Sequence, residues 1–176
     1  MLIRILTELD AKQFWSLRLR ALRENPEAFG ASYEEELHTP TDKLISHFNS
    51  DFILPLEENF MLGAFNDNSE MIGVVGFRRE RRVKLRHKAN IWGMYVVPEF
   101  RQTGIGRSLI SELLNKAKSL DGLEQINLGV VSSNTHAKAL YNFLGFKTYA
   151  VEKNALKIGE QYFDDDFMVL FLTIKI

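Results

Sequence analysis

The residues most able to do chemistry sit where an apolar run ends. Val97 and Pro98 are followed by Phe100, then by Arg101, Gln102, Thr103, Gly104, Ile105 and Gly106, with Arg107, Ser108 and an amphipathic run directly behind. A helix that starts here leaves its first backbone N–H groups unpaired, and its macrodipole adds roughly half a positive charge at that end. Phosphate suits such a site. Glycine at 104 and 106 lets the backbone approach an anion closely, because no Cβ intervenes. The flanking Arg101 and Arg107 could add charge-assisted contacts. The plainer alternative is that both glycines only shape a tight strand-to-helix turn. Two common nucleotide motifs are excluded: there is no G-x-x-x-x-G-K-[ST], and no third glycine stands where a dinucleotide fold needs one.

Other charged and polar groups offer less. Arg78 to Lys88 carries seven Lys or Arg. It reads as a solvated hairpin tip, with a phosphate or RNA grip as the alternative, although Glu80 interrupts it. Glu34, Glu35 and Glu36 form one acidic cluster, and Asp164, Asp165 and Asp166 form another. Acidic walls would suit a cation. His87 and His136 lack metal-ligand spacing, so no metal is expected. The absence of cysteine removes disulfides, thiolate metal sites and a cysteine nucleophile together.

These groups need elements to position them. Leu2 to Leu6 alternate as a strand, and Asp10 is placed to cap a helix from Ala11 to about Glu24, whose apolar face is Phe14, Leu17, Ala21 and Leu22. Asn25-Pro26 breaks it. A short helix is expected from Thr41 or Asp42 through Phe48. Phe60–Phe65 and Met71–Phe77 form a hairpin around the turn Asn66–Glu70, and Ala89–Val97 is another strand. Ile105 to about Ser119 is a helix with an Ile105, Leu109, Leu113 and Ala117 stripe. Gln125–Val131 is a strand, and Asn134–Leu144 is a helix closed by Gly145. Phe146–Glu152 and Gln161–Lys175 are strands joined through LKIGE. The order β, α, α, β, β, β, α, β, α, β, β contains a strand–helix–strand unit, hence a parallel pair with a right-handed crossover between antiparallel hairpins. This predicts one α/β domain: a mixed, mostly antiparallel sheet covered by helices on both faces, with no repeat or linker.

The complete string, strand–Pro–aromatic–R-x-x-G-x-G–helix, resembles the acetyl-CoA signature of the GNAT superfamily of N-acyltransferases. A second block strengthens the resemblance: strand INLGVV, then Ser132-x-Asn134, then Ala137-x-x-Leu140-Tyr141-x-x-Leu144-Gly145-Phe146. It covers the chain well from about Phe60 onward, while the first fifty residues match only in element order. The resemblance implies acetyl transfer from acetyl-CoA to an amine. It places the pyrophosphate on Gln102 to Arg107 and the pantetheine arm along a splayed strand edge at Met94, Tyr95 and Val96. An amide near Tyr95 would polarise the thioester carbonyl. Tyr141 takes the place of the tyrosine that protonates the leaving thiolate; by itself it also reads as a core aromatic. Asn134 and Ala137 open the second helix, where the asparagine both caps and contacts cofactor. Many relatives carry a glutamate base on the strand that here reads NIWGMYV. No acid is present there, which leaves Glu34 to Glu36, Asp164 to Asp166 or ordered water.

The expected acceptor is a small-molecule primary amine, with a protein N-terminus as the rival. A non-catalytic acyl-CoA sensor and an RNA-binding module are rivals from other classes. The net charge of −1 over 176 residues favours neither nucleic acid nor an anionic membrane as partner. No basic leader precedes an apolar run and no run approaches membrane-spanning length, so a cytoplasmic protein is expected. The resemblance also allows a homodimer built on the C-terminal strand pair.

Overall fold

The computed structural model describes residues 1–39, 48 and 58–172. Seven strands form one sheet: β1 (Leu2–Ile5), β2 (Asn59–Phe65), β3 (Met71–Arg79), β4 (Lys88–Val96), β5 (Gln125–Val131), β6 (Lys147–Ile158) and β7 (Gln161–Phe171). Their spatial order is β1-β2-β3-β4-β5-β7-β6. Every neighbouring pair is antiparallel except β4 and β5, the parallel pair that the sequence order demands. Four α-helices accompany the sheet: α1 (Ala11–Glu24), α2 (Tyr33–Leu37), α3 (Ile105–Ala117) and α4 (Thr135–Phe143).

The helices cover opposite faces. Gly73 of β3 lies against Leu109 of α3, whereas its neighbour Val74 meets Phe14 and Leu17 of α1. Because successive strand residues point to opposite faces, that one step separates the two layers. It also explains why β2 is buried along its whole length and reads as a continuous apolar run rather than an alternation. Among the described residues, no helix is long and apolar enough to cross a membrane.

Several local expectations change. Asp10 does not cap α1 with its side chain. Its carboxylate binds Arg4 through two bonds of 2.7 Å and accepts from the Thr7 amide at 2.9 Å, which holds it below the usual carboxylate range. Strand β6 runs through LKIGE to Ile158, so the hairpin to β7 turns at 159–160, with Gly159 at φ +58. Helix α2 was legible in Ser32-x-x-Glu35: the Ser32 hydroxyl accepts from the Glu35 amide and the Glu35 carboxylate accepts from the Ser32 amide. The helix expected from Thr41 falls, apart from Phe48, outside the described residues; Phe48 is buried with its ring 5.2 Å from that of Phe14.

The basic run does not read as a wholly solvated tip. Arg79 is buried and donates to the Arg86 carbonyl at 2.6 Å, to the Asp121 carbonyl at 2.6 Å and to Glu58 at 3.1 Å. Arg86 also pairs with Glu58. Two of the seven cations therefore hold the β3–β4 connection in place, and Arg78, Arg82 and Lys84 remain exposed.

One irregularity shapes the centre of the sheet. Opposite Val74 and Gly76 of β3, two residues apart, stand Tyr95 and Trp92 of β4, three apart. The extra residue makes a bulge at Gly93, whose φ is +61. A Cβ at Gly93 would meet nothing within 4 Å, so substitution there strains only the backbone. Gly93→Ala is expected to cost about 1–2 kcal/mol, seen as a lower urea midpoint at unchanged slope.

Candidate active site

β4 and β5 pair through Lys88 with Gln125, Ala89 with Ile126 and Asn90 with Asn127, and no further. Beyond that point β4 continues to Val96 and β5 to Val131, so the strands separate and leave a cleft between them. The cleft has a volume of about 100 Å³. Trp92, Gly93 and Met94 line one wall; Gly129, Val130 and Val131 line the other; Asn134, Ala137 and Tyr141 close it from α4, and Phe29 from the α1 side.

The phase of the β3–β4 ladder decides which backbone groups face the cleft. The Val97 amide donates to the Ile72 carbonyl at 3.0 Å. Tyr95, two residues earlier and opposite Val74, turns its amide the same way, toward β3. The amides of Met94 and Val96 therefore face the opening, and the amide expected near Tyr95 is that of a neighbour rather than its own. The Tyr95 hydroxyl instead donates to Glu24 at 2.6 Å. Burial, reinforced by Glu24, pushes the phenol far above its ordinary value. Glu24 is held low by that hydroxyl and by Arg20, which also reaches Glu99 at 2.6 Å.

At the mouth of the cleft the chain makes a turn over Pro98–Phe100 and enters α3. Gln102 has φ +63 and Gly104 φ +89, so the backbone turns sharply before the helix. The first bond into the helix runs from the Ser108 amide to the Gly104 carbonyl at 3.0 Å. Among the described residues, the amides from Gln102 to Arg107 find no protein acceptor. The two glycines serve different ends. Gly104 supplies the left-handed conformation, while a Cβ at Gly106 would press on Met94 at 3.2 Å and Leu140 at 3.3 Å. Ile105 is buried as the helix's first core residue, and the Thr103 hydroxyl donates to the Phe100 carbonyl at 2.7 Å.

The arginines behave differently from a simple pair of phosphate clamps. Arg101 donates to the Val96 carbonyl at 2.9 Å and to the Asn25 side chain at 2.8 Å, and lies over the Tyr95 ring. Its charge is anchored at the end of β4. Arg107 stacks on the exposed ring of Phe143, 4.4 Å from the centroid, where α3 meets α4.

The second motif is fixed as its sequence suggests. The Asn134 side chain accepts from the Ala137 amide at 3.1 Å and caps α4, which ends before Gly145 at φ +98. Tyr141 is buried beside Phe146, and its hydroxyl has no hydrogen-bond partner among the described residues. Burial pushes its phenol up to about 12. A residue without a motif of its own secures this corner: buried Asp166 of β7 pairs with Lys138 of α4 at 2.7 Å and accepts from Ser132 and Thr148.

A second, wider space opens on the α1 face of the sheet. This groove, of about 630 Å³, has Tyr149, Phe167 and Phe171 as apolar lining and Glu80, Asn90 and Asn127 as polar groups. Ile91, Leu128 and Gly129 line both the groove and the cleft, so the two spaces meet where the strands part. No group of three or more His, Asp or Glu converges as metal ligands among the described residues.

A split parallel pair, a run of free amides at a helix start and a buried tyrosine lining the gap are thus brought together on one side of the sheet's break. Residues 3–167 match the model of the acetyltransferase (GNAT) domain, and the chain belongs to that family of acetyl-CoA-dependent N-acetyltransferases. It is 30% identical over 87 residues to the ribosomal protein bS18-alanine N-acetyltransferase of Salmonella typhimurium. That match spans 49% of this chain and 58% of the relative, so the shared stretch is little more than half of that protein. Among solved structures, the GNAT-family acetyltransferase of Streptococcus pneumoniae superposes with a TM-score of 0.85 at 20% identity, over 97% of this chain and 99% of that one. The putative acetyltransferase yncA of Salmonella typhimurium, solved with its cofactor acetyl-CoA, superposes at 0.82 with 22% identity, over 100% of this chain and 96% of its own.

The corner held by Asp166 carries a pH signature. Lys138, then Ser132, lowers its folded-state value, so the stabilisation is complete above the unfolded carboxylate range and is lost as pH falls through the lower folded value. Asp166→Asn is expected to destabilise the protein by about 1–3 kcal/mol at pH 7 and to flatten the acid limb of thermal stability measured between pH 6 and 3.

Proposed function

We infer that the chain transfers the acetyl group of acetyl-CoA to a primary amine, and that the free amides from Gln102 to Arg107 receive the pyrophosphate. The observation that carries this reading is the run of unpaired amides opening onto a cleft between parted parallel strands. An anion there meets several N–H groups at once and the positive end of α3. The pantetheine amides can pair with backbone at Met94 and Val96, which β5 has left open. Gly106 permits Met94 and α3 to stay close, and Ser108 begins the helix behind the cradle. Arg107 on Phe143 offers a cationic, aromatic surface beside it. Arg101 acts indirectly, by fixing the end of β4.

The acetyl carbonyl then lies in the cleft. Attack by the amine forms the C–N bond and places negative charge on the carbonyl oxygen, which a cleft-facing amide stabilises. As the C–S bond breaks, sulfur needs a proton. The Tyr141 phenol faces the cleft, has no competing acceptor, and stays protonated at neutral pH because it is buried. Asn134 and Ala137 hold the start of α4 and thereby the tyrosine's distance from the gap.

The acceptor enters from the groove on the α1 face, opposite the phosphate cradle. Its aromatic lining suits a small-molecule amine with an apolar body. The groove is also open along its length, which favours as second reading a protein N-terminus; the relative matched above is named for an alanine of a ribosomal protein. The same reading places the enzyme in the cytoplasm, beside the acetyl-CoA pool.

Calorimetric titration with acetyl-CoA tests the cradle. Wild type is expected to bind, and Gly104→Trp, verified as folded by circular dichroism, to lose at least tenfold in affinity; equal binding by both would refute the placement. Tyr141→Phe is expected to bind acetyl-CoA like wild type and to lose about 10²-fold or more in kcat, the usual scale for a general acid.

A further inference from the structure

An amine reaching the groove at neutral pH arrives as an ammonium and has no lone pair to attack with. Strand β4, which walls the cleft, holds no acid, so the proton must go elsewhere. The acids offered by the sequence separate cleanly in the structure. Glu36 is bound by Arg18, and Glu35 is engaged by Ser32. Asp164 is held by Lys153 and by the Asn154 amide. Asp166 points to the α4 face and is neutralised by Lys138. Glu80 accepts from Asn90 at 2.9 Å, and Glu34 stands exposed on α2.

Asp165 is different. On β7 it alternates with Asp166 and so shares a face with Phe167, Val169 and Phe171, which line the groove. One of its carboxylate oxygens lies 4.0 Å from where a Cβ on Gly129 would stand, and Gly129 is at the junction of groove and cleft. Glycine at 129 leaves that space to the carboxylate and to the Phe167 ring, whose carbons lie at 3.7 and 3.9 Å from the same point. Asp165 is half-buried, and among the described residues no cation or hydrogen-bond donor engages it.

We propose that Asp165 is the carboxylate that binds the acceptor's ammonium at the junction of groove and cleft and takes its proton. The proposal rests on the acetyl-transfer reading above. The ammonium gives one proton to Asp165. The freed nitrogen pair attacks the thioester carbonyl carbon, C–N forms, and sulfur leaves with the C–S pair and takes the Tyr141 proton. The acylated nitrogen sheds its second proton, which restores the phenol through solvent, and Asp165 releases its own. One amide, one thiol and one proton result.

The surroundings make this carboxylate more basic than an ordinary one. Burial, then Glu152 opposite on β6, then Asp166 beside it push the Asp165 carboxyl up. From β5 it faces Val131 and Gly129, neither titratable. The remaining charged groups nearby are the Lys153–Asp164 pair and Glu27, on the Pro26–Ala28 turn that packs on β5.

The test compares wild type, Asp165→Asn and Asp165→Glu. Acetyl-CoA binding is measured by calorimetry and CoA thiol release is followed with phenethylamine, spermidine and an alanyl tripeptide amide. For whichever amine turns over, Asp165→Asn is expected to bind acetyl-CoA normally and melt no lower than wild type. Its kcat/KM should fall about 10²-fold or more at pH 7 and rise about tenfold per pH unit toward the amine's own pKa; Asp165→Glu should recover part of the loss. Superimposable profiles, or a loss equal at every pH, overturn the role of Asp165 while acetyl transfer stands. Wild type that binds acetyl-CoA but acetylates none of the three overturns the acetyl-transfer reading, and Asp165 with it.

Discussion

The structure depends on a ladder that stops early. After Asn90 and Asn127 the parallel strands β4 and β5 cease to pair, in the middle of a sheet that is otherwise continuous. Backbone polar groups away from water must find partners, so an interior gap of this kind persists only if something else satisfies it or if a ligand is meant to. The Gly93 bulge turns the second half of β4 away, and Trp92, lying flat over the Cβ-less Gly76, and Phe29 wall the gap from the α1 side. The open strand edges there carry N–H and C=O groups that a ligand with amides of its own can pair with.

Around this gap the protein holds two helix starts with different chemistry. The start of α3 is left electrostatically open, its amides unpartnered, while the neighbouring charges are bound elsewhere. Arg101 is fixed to Val96 and Asn25, and Arg20, Glu24 and Tyr95 form a cluster joining the end of α1 to the end of β4. The start of α4 is closed by Asn134 and braced by Asp166. One terminus is thereby left with open amides, and the other is capped and braced.

Adjacent residues on β7 show how much a single step along a strand decides. Asp166 points toward α4, meets Lys138, Ser132 and Thr148, and is held ionised as a structural brace. Asp165 points the other way, meets the acidic Glu152 and apolar surface, and is pushed toward protonation. Two identical side chains, a few ångströms apart, acquire opposite electrostatic character from the alternation of the strand.

The sequence by itself determined the order of the seven strands along the chain, the parallel pair, the glycine loop at the start of α3 and the second motif through Asn134, Tyr141 and Gly145. These rest on local rules, periodicity, capping and turn chemistry, which neighbouring residues satisfy among themselves. It also held the Ser32-x-x-Glu35 signal for α2. Only the tertiary structure decided the rest. That Arg79 is a buried staple in a basic run, that Asp10 serves Arg4 instead of capping α1, and that Arg101 anchors a strand end all depend on partners brought near by folding. The bulge at Gly93, the phase that turns the Tyr95 amide into the ladder and the opposite facing of Asp165 and Asp166 follow from strand register. Register is a relation between distant segments, and no single segment's sequence contains it.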